Sequence, residues 1–140
     1  MMTLAVKICL LFSGLFLLTG MSIGILKYVF TMRSKEHSAP IYIDIGHRAS
    51  LLYSFAALVM AKLVEFSPYS QTVQIVIAIV PLMFFALTIF QYVKLGLKGQ
   101  EQTQFSERNF LTTWFMYALI AGEIGGIALI LLGFIQTQFF

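Results

Sequence analysis

Four apolar runs follow one another along this chain, each long enough to cross a lipid bilayer, with short polar segments between them. A hydrocarbon core of about 30 Å takes about 20 helical residues, and a crossing segment must satisfy its own backbone hydrogen bonds because no water is present there. The runs cover about 6–30, 41–66, 72–95 and 109–135. Of 140 residues, few remain for a water-soluble domain. Charged residues make up 11% of the chain, against roughly 25% in soluble domains, so most of its surface does not need water. The expected fold is all-α: one transmembrane domain over 1–140, built as an antiparallel up-down four-helix bundle. A bundle this small has little room for polar machinery, which favours a homo-oligomer embedded in membrane lipid.

Local residues mark the ends of the runs. Lys7 and Lys27 frame the first uncharged stretch. A signal peptide is its rival reading, but the run exceeds an ordinary signal core and no A-x-A-like site with a soluble mature chain follows. Pro40 suits the first turn of the second helix, and Ser67-Pro68-Tyr69-Ser70 closes that helix into a hairpin with the third. Pro81 predicts a kink in the third helix. Gly96 and Gly99 loosen the chain into Gln100-Glu101-Gln102-Thr103-Gln104, and Ser106 is a candidate N-cap for the fourth helix.

Basic residues set the expected orientation. Lys27, Arg33, Lys35 and Arg48 gather around the first loop, and Lys94, Lys98 and Arg108 around the third. Only Lys7 and Lys62 lie towards the other side. The positive-inside rule puts both of these loops in the cytoplasm and both termini outside, as in a bacterial inner (plasma) membrane. The formal charge of +3 is small and dispersed, which excludes a nucleic-acid-binding face. Cys9 is the only cysteine, and no Cys/His pair has zinc-ligand spacing.

Glu123 stands near the middle of the fourth run, in Ala121-Gly122-Glu123-Ile124-Gly125-Gly126. A carboxylate at that depth costs several kcal/mol unless it is protonated, paired or wetted, so it marks a functional site or a polar contact between helices. Ala118, Gly122 and Gly126 form a stripe that admits a close helix neighbour, within the bundle or between subunits; Gly20 and Gly24 make a shorter one in the first run.

The second helix carries most of the remaining polar groups. At about 100° per residue, His47, Ser54 and Glu65 fall on one face, expected to point into the bundle or a cavity. Asp44 and Arg48, four apart, and Lys62 and Glu65, three apart, are expected to pair along the helix surface. On the third helix Gln74, Pro81, Thr88 and Tyr92 fall within about 40° of one line. A polar lining of His47, Ser54, Thr88 and Tyr92 follows, with Tyr92 alternatively an interfacial anchor. A neutral imidazole in a membrane can ligate haem or a metal, carry protons or accept a hydrogen bond.

The run Gly46-His47-Arg48-Ala49-Ser50-Leu51-Leu52-Tyr53-Ser54 resembles the second-helix pattern of the styrene oxide isomerase and hydroxylaminobenzene mutase families. That pattern is a small residue, His, a short gap, an apolar pair, then Asn and a small residue. Tyr53 stands here where the pattern has Asn. The resemblance implies a four-span protein holding haem b, with His47 as iron ligand and Tyr53 and Ser54 beside the cofactor. It also implies that Tyr92 lies near a pocket tyrosine and that the substrate is small and apolar. That family carries its basic residues at the termini, the reverse of the distribution here.

Three functions compete at this point. One is a haem-binding protein, isomerase-like or redox-active, with Tyr92 and Glu123 as candidate acid–base groups. Another is a small oligomeric transporter or channel using Glu123 and the polar face from Gln74 to Thr88. The last is a non-catalytic subunit that packs through the Ala118-Gly122-Gly126 stripe.

Overall fold

A computed structural model of the protein describes residues 2–99, 110 and 112–140. It contains four helices: α1 (Leu4–Arg33), α2 (Ile41–Glu65), α3 (Gln71–Leu97) and α4 (Trp114–Gln138). The all-α expectation holds. The first three helices begin and end within three residues of the expected bounds, whereas α4 starts at Trp114 rather than 109. Ser106 and the polar stretch 100–104 lie outside the described residues.

Three helices, α1, α3 and α4, are long and apolar enough to cross a membrane. At 1.5 Å per residue, all four are roughly 37–45 Å long. α2 has the length but a lower hydropathy, because Asp44, His47 and Arg48 sit near its start and Lys62 and Glu65 at its end. This most polar helix is central together with α3, which also meets all three others. α2 packs most extensively against α1, while α1 and α4 make no contact among the described residues.

Apolar side chains cover the outside of the bundle. Only 22%, 39% and 17% of the apolar windows of α1, α3 and α4 are buried within it, so most of each window faces outward. Leu18, Ile25, Leu52, Phe55, Phe90 and Ile124 are all exposed. An outer face this apolar is far larger than the patches that water-soluble monomers tolerate.

Small residues set how closely the helices pack. Gly20 lies against Leu51 and Ser50, and Ser13 Oγ donates to the Ser54 carbonyl at 2.9 Å. Gly96 does not loosen the end of α3. It lies buried within the helix, directly against Ile43 of α2. The helix ends at Leu97, two residues before Gly99, whose φ of 66° belongs to the left-handed region that glycine enters without strain.

α3 runs through Pro81 without ending. Proline has no N–H, so the Ile77 carbonyl lacks its usual donor four residues on. Gly126 of α4 approaches that carbonyl and the Pro81 ring, and Gly122 faces Phe84 and Val80. The glycine stripe of α4 is therefore occupied by α3 of the same chain.

Candidate functional site

Two polar centres flank α2 on different sides. The first lies between α1 and α2. His47, half-buried, directs Nδ1 at the Gly20 carbonyl of α1 at 2.8 Å. A carbonyl oxygen only accepts, so Nδ1 carries a proton, and a neutral ring would then hold its lone pair on Nε2. The ring rests on Gly24: a Cβ built there would meet His47 Cε1 at 2.9 Å. The Gly20–Gly24 stripe is thus the seat of an imidazole. One turn away, Asp44 accepts from Lys27 of α1 at 2.5 Å and from Arg48 at 2.7 Å. The expected Asp44–Arg48 pair is present, and Lys27 extends it across to α1.

The second centre lies where α2, α3 and α4 meet. Glu123 projects from α4, and its Oε1 is buried without a hydrogen-bond partner among the described residues. Glu123 is close enough to Tyr53 of α2 and Tyr92 of α3 to act electrostatically on both hydroxyls. Thr88, one turn before Tyr92, has a buried Oγ1 that is also without a partner at good geometry, although the Tyr53 hydroxyl stands beside it. Ring packing fixes the tyrosines. Tyr53 stacks on Phe85 with centroids 4.1 Å apart, and Tyr92 stacks on Tyr42 at 6.1 Å.

The five site residues expected from the sequence therefore divide. Tyr53, Tyr92 and Glu123 come together. His47 and Ser54 face α1 instead, about 120° around α2 from Tyr53 by helical geometry. A single lining of His47, Ser54, Thr88 and Tyr92 does not form. Glu65 shares the His47 line but is exposed and paired with Lys62 at 2.8 Å, because it sits in the last helical turn beyond the packed part of α2. Gln74 is buried at the far end of α3, where Nε2 donates to the Ser67 and Tyr69 carbonyls at 3.0 Å each. Its Oε1 is the third buried side-chain oxygen without a partner.

Sequence reasoning passed over Tyr42 and Ser13. Tyr42 had a signal, since it lies eleven residues before Tyr53 and so within about 20° of the same helix face. Ser13 had none, because its contact is with a distant backbone carbonyl.

Chemically, the second centre sets a carboxyl within electrostatic range of two tyrosine hydroxyls, with Thr88 beside Tyr53, in a region where few groups can solvate charge. Each unpartnered oxygen there calls for a proton, a water or a cation, since a buried polar group left alone costs about 1–3 kcal/mol. Comparison with known protein families, curated proteins and solved structures finds no match.

Proposed function

We propose that the chain is an integral membrane protein, crossing the bilayer four times, that binds and releases a proton at Glu123 in a small carrier or channel. The observation that carries this reading is the buried, unpartnered Oε1 of Glu123, within electrostatic range of the Tyr53 and Tyr92 hydroxyls. An ionisable group inside a membrane bundle is expensive to keep, and proton relays are a principal reason to keep one. Tyrosine and threonine hydroxyls each donate and accept, so with water bridging the gap they can pass a proton to or from the carboxyl. Gln74 and Thr88 stand fourteen residues apart on α3, about 21 Å along its axis, and Glu123 on α4 lies between them in the antiparallel pairing. In this reading their unpartnered oxygens are stations along one route through the bundle. The basic residues around loops one and three put those loops in the cytoplasm.

The test is proton flux in liposomes, with Glu123→Gln beside the native protein. Flux that depends on Glu123 supports the reading. Equal flux from both, or none from either, contradicts it.

A second reading, haem b held by His47, rests on a different observation. A metal-ligating histidine usually donates its other ring nitrogen to a carbonyl or carboxylate, and His47 Nδ1 donates to Gly20 in that way. The ring nitrogen fits an iron ligand. The surroundings fit less well, since the ring lies against the α1 backbone at Gly24 and the open groove between α1 and α3 does not include His47. Purified protein from haem-replete cells with a Soret band that His47→Ala abolishes would support haem binding; a colourless preparation would end it.

A further inference from the structure

A lateral groove of about 560 Å³ opens between α1 and α3, on a side of α1 away from the His47 seat. Phe16, Ile23 and Leu26 line it from α1, and Ile89, Phe90 and Val93 from α3. Its polar contribution is slight, from Thr19 and Ser22, and the Ser22 hydroxyl is already used on the Leu18 carbonyl at 2.9 Å. From Phe16 to Leu26 the recess extends about 15 Å along α1. It is apolar and runs along the side of the bundle between α1 and α3.

Charge appears at one end only. α1 and α3 run parallel, so their C-terminal turns lie on the same side. Arg33 follows Leu26 by seven residues, which places it within about 20° of the same line and about 10 Å further along the axis. Lys94 lies one turn beyond Phe90 on the same face of α3. Both are exposed and make no ion pair among the described residues, unlike Lys27, which Asp44 neutralises. A basic residue in a last turn also complements the helix dipole. Here two cations without an ion pair among the described residues crown the helices that form the apolar recess.

We propose that this groove is a binding site for an anionic phospholipid of the adjoining leaflet, one acyl chain lying in the recess and the phosphate held by Arg33 and Lys94. The charge complementarity selects a lipid headgroup over a second copy of the chain. The groove mouth is cationic, which matches a phosphate, whereas the large exposed side chains along the middle of the helices, which another copy would offer, are apolar. The site is independent of any role for Glu123.

Two measurements on the full chain in mild detergent test it. The first is native mass spectrometry with phosphatidylglycerol or phosphatidylcholine of identical acyl chains. Phosphatidylglycerol should bind more tightly, with a preference of about fivefold per cation at the mouth. The double variant Arg33→Gln/Lys94→Gln, whose side chains are on the surface, should bring the two lipids level while keeping the native helical content. The second uses phosphatidylglycerol with a photoreactive group near the chain end, which should crosslink within 16–26 and 86–93. Equal binding of the two lipids by the native chain would overturn the proposal, as would a preference that survives the double variant. So would crosslinks spread evenly over the outer faces of all four helices, or a protein–protein crosslink in the groove in place of lipid.

Discussion

Replacing Gly126 with alanine puts a methyl group where the structure has no room for one. The new Cβ would stand 2.9 Å from the Ile77 carbonyl oxygen and 2.9 and 3.0 Å from Pro81 Cδ and Cγ. Neither neighbour is the free end of a flexible side chain; one is backbone and the other a ring closed onto it. α3 and α4 must therefore move apart. Overpacking of this kind costs about 1–3 kcal/mol. Gly125 supplies the control, since a Cβ there meets nothing within 4 Å. Both substitutions exchange glycine for alanine inside one helix, so the propensity gain of about 1 kcal/mol cancels between them. Gly126→Ala should be less stable than Gly125→Ala by about 1–3 kcal/mol. Reversible unfolding in mixed micelles, followed by far-UV circular dichroism, reads the difference. Two variants equal within about 0.5 kcal/mol would refute the close approach of α4 to the Pro81 turn.

Three further outcomes follow from contacts elsewhere. Gly24→Ala pushes the His47 ring off the Gly20 carbonyl and should lower stability by about 1–2 kcal/mol, with loss of the hydrogen-bonded Nδ1–H signal in imidazole NMR. An unchanged Nδ1–H signal would contradict the seat described for His47. Gln74→Leu removes two hydrogen bonds to the α2–α3 turn and should cost about 1–2 kcal/mol, with faster amide exchange confined to Ser67–Ser70; exchange rising uniformly would contradict a local role. Asp44→Asn should cost only about 1 kcal/mol, because Arg48 is largely exposed and Lys27 and Asp44 are only partly buried, and the loss should shrink at high salt.

How much of this was legible in the sequence depended on how local each feature is. The helix ends follow from apolar length and from nearby residues, and three of four fell close to their expected positions. The Asp44–Arg48 and Lys62–Glu65 pairs follow from spacing within one helix, and both are present. Helical periodicity gives the angle between two side chains but not which neighbour each one meets. His47 and Thr88 therefore read as one lining, although α2 turns His47 towards α1 and Thr88 stands beside Tyr53. Periodicity also says nothing of where packing stops along a face, so Glu65 read as interior when it is at the exposed end. The convergence of Tyr53, Tyr92 and Glu123 depends on three helices crossing, and no spacing in the chain encodes it. The use of Gly126 depends on a proline 45 residues earlier.

The central claim is that Glu123 carries protons through the bundle. Its most direct test is the rate at which liposomes holding a pH-sensitive dye equilibrate after an imposed pH step, with matched amounts of native protein, Glu123→Gln and Gly125→Ala. Glutamine keeps the size of the side chain but cannot release a proton at ordinary pH. The account predicts that Glu123→Gln slows equilibration by about tenfold or more, to near the rate of empty liposomes, while Gly125→Ala leaves it unchanged. Native and Glu123→Gln proteins that equilibrate at the same rate, while both remain folded in the bilayer, would contradict it.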